Sequence, residues 1–305
     1  MNATVKRRLP PPLVKGDTIG IFAPAGPVLD PDAAAAGLRL LREAGFKIRC
    51  RDDILTRQPG YLSADDRARA AELHELWRDP EVKALLALRG GYGCLRLLPL
   101  LDWDLLNSRP KILIGFSDLT VLHAALLQRT ALIPFHGPML CTLNQSEPES
   151  IRHFLAALAG RFPDVIRPAG LEILRPGSAS GPLLGGNLAS LNHLLATAWE
   201  PELNGAVLLL EDVGEAPYRL DRLLTQLALA GRLARPAAII LGEFKECGPP
   251  EEIWQRLLEL TASQELPLWA NFPAGHGPRN LTLPLGAMVR LDSSRGELVL
   301  QPPVS

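Results

Sequence analysis

Ser117 stands in the run KILIGFSDLT (residues 111–120), between a short apolar stretch and a segment whose leucines recur at helical spacing. A serine on a sharp turn between a buried strand and a helix start is where an α/β enzyme holds a nucleophile. The turn lifts the hydroxyl out of the sheet, and the helix's free N–H groups and positive dipole end lie beside it. The competing reading of the same residues is local: Ser117 or Asp118 simply caps the helix that follows. A hydroxyl is almost fully protonated at neutral pH, so a nucleophilic Ser117 also requires a base.

Six histidines are available: His74, His123, His136, His153, His193 and His276. His74 and His153 fall in polar helical patterns and are expected to be solvated. His123 follows Ser117 on the same helix, where it is expected to be packed or partly exposed, and a packing role is the default for His193. His136 and His276 differ, because each adjoins glycine in a loop, as FHGP and GHG. Glycine on both sides of His276 lets the backbone bend and keeps bulk away from the imidazole; a buried structural histidine is the alternative.

A catalytic imidazole needs an acceptor that fixes its tautomer and stabilises the imidazolium. Glu211 follows the apolar run AVLLL (206–210), which would bring it out at a strand's carboxyl edge; it is equally readable as the first solvated residue after a buried strand. Ser117, Glu211 and His276 stand in the order nucleophile, acid, base, as in α/β-hydrolases. The G-x-S-x-G signature of those enzymes is not met, since Leu119 occupies the second glycine position. The run RGGYG (89–93) has neither the lysine nor the spacing of a phosphate loop. Its glycines permit close backbone approach, so the N–H groups of Gly91 and Asp118 are candidate donors to an oxyanion. No His, Cys, Asp or Glu spacing suggests a metal, and no cofactor is expected.

The elements around these residues alternate between strand and helix over 18–130. Strands are expected at 18–23, 46–50, 82–88 and 112–114, with helices at 30–44 and from Ser63 through Trp77. This rhythm predicts an α/β fold: an open, mostly parallel sheet with helices on both faces, in flavodoxin- or Rossmann-like layers. Ligands in such sheets sit beyond the carboxyl ends of the strands, where PAGP (24–27), RGGYG and FSD (116–118) all fall. Residues 161–186 are rich in Pro, Gly and Ser. They suggest a division into an N-terminal domain over 1–160, a linker over 161–182, and a smaller β-rich domain over 183–305. The last part contains a helix at 188–197, strands at 206–210 and 237–241, and a terminal hairpin over 287–300.

The 305 residues carry a formal net charge of −1, which offers no electrostatic case for nucleic acid or an anionic membrane surface. No apolar run reaches membrane-spanning length, and the N-terminus does not have the form of a secretory signal. Cys50, Cys94, Cys141 and Cys247 are scattered without a CxxC pair, as expected of reduced thiols in a cytoplasmic protein.

Taken as a set, GDTIGIFAPAGPV (16–28), ALRGGYGCLRLLPLLDW (87–103), KILIGFSDLTVLH (111–123), FHGPM (135–139), LLGGNLASLNHLL (183–195), LEDVGEAPYRLDRLLTQL (210–227) and GHG (275–277) resemble the LD-carboxypeptidases. These are serine peptidases of the murein tetrapeptide carboxypeptidase and microcin-immunity type. The resemblance spans nearly the whole chain in order. It implies hydrolysis of an amide to a C-terminal D-amino acid, as in release of D-Ala from the murein tetrapeptide, free or on a muropeptide, during peptidoglycan recycling. It also implies Ser117 as nucleophile, Glu211 as acid, His276 as base, and a homodimer. Phe116 stands where the family often has tyrosine. A carboxypeptidase must grip a free carboxylate, for which Arg89, Arg219 and Arg222 are candidates. Two other readings remain: a microcin-immunity-type peptidase acting on a peptidyl-nucleotide, for which Trp199 or Trp254 would have to stack on a base, and a non-catalytic binder of murein peptides.

Overall fold

The structure, a computed structural model, describes residues 6–56 and 60–301; residues 54–63 read as a loop in the sequence, and 57–59 of it, like 1–5 and 302–305, lie outside the described residues. The strands are β1 (Thr18–Phe22), β2 (Lys47–Arg49), β3 (Val82–Ala87), β4 (Ile112–Gly115), β5 (Phe135–His136), β6 (Val165–Ile166) and β7 (Glu172–Arg175). They continue with β8 (Ser178–Asn187), β9 (Val207–Val213), β10 (Ala238–Lys245), β11 (Leu268–Ala270), β12 (Leu283–Pro284), β13 (Met288–Asp292) and β14 (Glu297–Gln301). The α-helices are α1 (Pro31–Glu43), α2 (Asp66–Arg78), α3 (Cys94–Leu97), α4 (Trp103–Ser108), α5 (Thr120–Thr130), α6 (Pro148–Leu158), α7 (Leu188–Asn192), α8 (Pro217–Leu229) and α9 (Pro250–Leu260).

β1, β3 and β4 are apolar along nearly their whole length because helices cover both faces of their sheet. Ile19, Ile21, Ile112 and Ile114 face α1 residues Leu38 and Leu41. Phe22, Leu85 and Leu113 face Leu73 and Trp77 of α2 and Leu122 of α5. The first sheet runs β2-β1-β3-β4-β5 in parallel, and β12 closes its edge antiparallel to β5. The chain reverses its order of travel between β1 and β3, which is the crevice where doubly wound sheets bind ligands.

The second sheet has eight strands in the order β6-β14-β13-β8-β9-β10-β11-β7. Its centre, β8 to β11, is parallel, and antiparallel strands flank it on both sides. The linker expected at 161–182 is corrected here: that stretch contains β6, β7 and the first part of β8. Its composition suggested a connection with at most short strands, because two of these strands are short and the third contains Gly181 and Pro182. Pairing to β14, β11 and β13 nevertheless recruits all three.

Local chemistry sets the helix starts. Asp30 accepts from the Ala33 N–H at 3.0 Å, with Pro31 in the first turn of α1. At α2 the cap is Asp65, not Ser63 as the sequence pattern suggested. Ser63 instead donates to the Ala23 carbonyl at 2.6 Å, fastening the loop that follows β1. Helix α7 stops at Asn192, short of the expected 197, which leaves His193 exposed rather than packed.

Candidate active site

Ser117 adopts φ 63, a left-handed conformation that a side chain with a Cβ tolerates at a cost of about 1–3 kcal/mol. The preceding Phe116 is extended, so the chain turns sharply between β4 and the short 3-10 turn Ser117–Leu119 that leads into α5. Neither Ser117 nor Asp118 caps this helix. The Asp118 carboxylate accepts from the Cys94 N–H at 2.7 Å instead, fastening the RGGYG loop to the Ser117 turn; burial pushes its pKa up. Among the described residues no protein group hydrogen-bonds the half-buried Ser117 hydroxyl.

Three loops meet at this turn. Gly26 N–H donates to the Gly90 carbonyl at 3.2 Å, and buried Arg69 donates to the carbonyls of Pro24 and Gly93. Glu72, also buried, accepts from the Ala23 N–H at 3.1 Å. Gly90 lies against Ser117: a Cβ there would stand 2.9 Å from both its Cβ and its Oγ. Gly91 has φ +122 and lies beside Gly26. Among the described residues the N–H groups of Gly91 and Asp118 serve no protein acceptor.

The second sheet brings Glu211 and His276 together. Glu211, in β9, is fully buried, and its Oε2 lies 2.7 Å from Nδ1 of His276. Gly275 makes this possible. It has φ +131, and a Cβ there would stand 3.1 Å from the same Glu211 oxygen. The loop 272–280 is pinned to β10 by Glu243 N–H donating to the Ala274 carbonyl at 2.8 Å. It is pinned to the other half of the molecule by Glu147 N–H donating to the Pro278 carbonyl at 2.8 Å. The His276 ring then stands edge-on to Phe116, the neighbour of Ser117, with centroids 4.7 Å apart. A hydrogen-bonded seam holds the two sheets in register behind the site. Asn187 N–H donates to Thr120 Oγ1 at 3.0 Å, and the Asn187 side chain donates to Asp212 at 2.9 Å, one residue from Glu211.

The other histidines, arginines and tryptophans have different surroundings. His136 lies on β5 and is wholly buried, and so is His123. Burial lowers the pKa of His136 to about 4 and of His123 to about 3, so both imidazoles are neutral near pH 7. His74 accepts the Asp102 N–H at 3.0 Å rather than facing only solvent. Arg89 stays in the cleft loop and donates to the Pro27 carbonyl at 3.1 Å. Arg219 and Arg222 gather around exposed Tyr218 on α8. Trp199 and Trp254 pack against hydrophobic clusters. Glu243 was missed. Its carboxylate lies where a Cβ of Gly277 would be, one residue past His276, and it has no ion-pair or hydrogen-bond partner among the described residues. The signal was present in the sequence, as an acidic residue near the end of the strand beside β9.

Two family descriptions match the chain: the LD-carboxypeptidase N-terminal domain over residues 19–137 and the LD-carboxypeptidase C-terminal domain over residues 180–291. The chain belongs to the LD-carboxypeptidase family. It is a carboxypeptidase with that family's mixed α/β fold. It is 36% identical over 307 residues to a Bacillus subtilis protein named "Probable murein peptide carboxypeptidase", covering 97% of this chain and 95% of that one. It is 34% identical to the murein tetrapeptide carboxypeptidase of Pseudomonas aeruginosa, covering 91% of this chain and 94% of the relative. Among solved structures it resembles the microcin self-immunity protein MccF bound to aspartyl sulfamoyl adenosine. There the TM-score is 0.88 at 27% identity, over 98% of this chain and 100% of the other.

Proposed function

We propose that this carboxypeptidase uses Ser117 as nucleophile, His276 as general base and Glu211 as the acid that orients it, and that it releases D-Ala from murein tetrapeptide. The observation that carries the reading is the 2.7 Å contact between buried Glu211 and His276 Nδ1, with the His276 ring against Phe116, the neighbour of a serine held at positive φ. With Nδ1–H bound to the carboxylate, Nε2 is the basic nitrogen. His276 takes the Ser117 proton as Oγ attacks the scissile carbonyl, and the N–H groups of Asp118 and Gly91 receive the oxyanion. The protonated imidazole then gives its proton to the departing D-alanine amine. Water, activated by the same imidazole, hydrolyses the acyl-enzyme.

Glu243 supports a murein peptide in particular. An unpaired carboxylate beside the base suits an ammonium group on the residue preceding the scissile bond, and meso-diaminopimelate carries one. The P. aeruginosa relative's name supports the same substrate. A microcin-type substrate is the competing reading, supported by the likeness to MccF. The family resemblance further supports a homodimer acting in the cytoplasm; among the described residues no helix is long and apolar enough to cross a membrane. The test is a substrate panel. The reading expects D-Ala release from L-Ala-D-Glu-meso-diaminopimelate-D-Ala, with little turnover of an aminoacyl sulfamoyl nucleoside. The reverse preference would assign the enzyme to the microcin type.

A further inference from the structure

FHGP supplies a histidine that the triad does not use. His136 pairs with Gly115 of the nucleophile strand on one side and with Leu283 of β12 on the other, so it lies directly behind the turn that carries Ser117. Its ring is 5.8 Å from that of Phe116, and Glu211 and His276 are both near enough to act on its charge. His123, on α5, lies near enough to be influenced in turn by His136.

Every polar atom of these two rings is buried and without a protein partner among the described residues. The same holds for Glu211 Oε1, the carboxylate oxygen that does not touch His276, and for Thr282 Oγ1 and Asn280 Nδ2. Glu211 acts on the charge of His136, and both the His136 and His276 rings stand against Phe116. Thr282 lies against Gly137, the neighbour of His136, and Asn280 accepts the Gly275 N–H at 3.3 Å. A buried carboxylate oxygen requires a donor, and a neutral imidazole must place one donor and one acceptor. Several unsatisfied groups of both kinds in one region are the conditions under which a folded protein holds ordered internal water, which needs two to four polar partners.

We propose that His136 is a positioning residue for the triad acid, donating through a buried water to Glu211 Oε1 and so locking the carboxylate with Oε2 on His276. Thr282 completes the cage of that water. His123 lines a groove of about 900 Å³ together with Leu127, Leu191 and Met288. This inference rests on the triad reading, and its failure is separable from the failure of that reading.

The test compares His136→Phe, which keeps a ring of similar shape without nitrogens, with His136→Gln, which keeps a donor. With tetrapeptide as substrate, His136→Phe should lower kcat about 10- to 100-fold with KM within twofold, and His136→Gln should recover most of the loss. A His136→Phe protein that folds and retains kcat within twofold overturns the inference. So does a high-resolution crystal structure of the unaltered enzyme with no ordered water between Glu211 Oε1 and His136, and that measurement stands even if neither variant folds. Loss of D-Ala release in Ser117→Ala with undiminished turnover in His136→Phe removes this proposal alone; release that survives in Ser117→Ala removes the triad.

Discussion

The two edges that meet at the site are built by opposite means. The first-sheet edge is a backbone construction. Ser117 is held at φ 63, Gly90 is pressed against it, and three loops are tied by main-chain bonds and by buried Arg69 and Glu72. The second-sheet edge is a side-chain construction, in which a carboxylate, an imidazole and a second carboxylate stand on β9, the 272–280 loop and β10. The difference teaches where each half is vulnerable. Ser117, as the proposed nucleophile, should fail when backbone geometry is disturbed, and the proposed Glu211–His276 pair when charge or hydrogen bonding is removed.

Glu211→Gln strikes the second edge through charge alone and should give the largest loss, about 10³- to 10⁴-fold in kcat, because the imidazolium loses its counter-charge and the tautomer is no longer fixed. A loss below tenfold would show that the edge does not work through that charge. Gly90→Ala strikes the first edge through shape alone. A Cβ 2.9 Å from Ser117 Oγ should lower kcat about 10- to 100-fold, with little change in thermal midpoint. Gly275→Ala tests whether backbone also matters on the second edge. At φ +131 it should destabilise by about 1–3 kcal/mol, read by denaturant titration, because the alanine is strained and crowds Glu211. Glu243→Gln should raise KM for tetrapeptide about 3- to 10-fold with kcat within twofold, and should leave KM unchanged for a substrate without the side-chain ammonium.

The seam between the edges gives a pH signature. His123 and His136 are neutral in the fold, with pKa values of about 3 and about 4, whereas the unfolded chain protonates them below about pH 6.5. Between about pH 6.5 and 4 the unfolded state therefore binds more protons, and stability falls as pH falls, by at most about 1.4 kcal/mol per pH unit for each histidine. Urea midpoints measured across this window should decline toward acid, and replacing His136 with Phe should flatten the decline.

The first edge was legible in the sequence because backbone construction leaves local marks: unbroken apolar strands, glycine-rich loops after them, and a serine at the turn. Ser117, Glu211 and His276 stand in order in the sequence, but the resemblance to the LD-carboxypeptidases, more than their spacing, singled them out. The geometry that joins Glu211 to His276 could not be read there, because it depends on Gly275 and on a loop docked between β10 and α6. His136 and His276 illustrate the limit, since both adjoin glycine. Only strand pairing buries His136, while His276 remains partly accessible beside Phe116. In the Pro- and Gly-rich stretch at 161–182 local composition suggests at most short strands, and long-range pairing joins them to the sheet.

The central claim is that Ser117 is the nucleophile served by the Glu211–His276 pair. The most direct measurement is D-Ala release from tetrapeptide by the enzyme and by Ser117→Ala, with folding of both checked by circular dichroism. The account predicts release by the first and a loss of at least about a thousandfold in the folded variant. Release by folded Ser117→Ala within tenfold of the unaltered enzyme would contradict it.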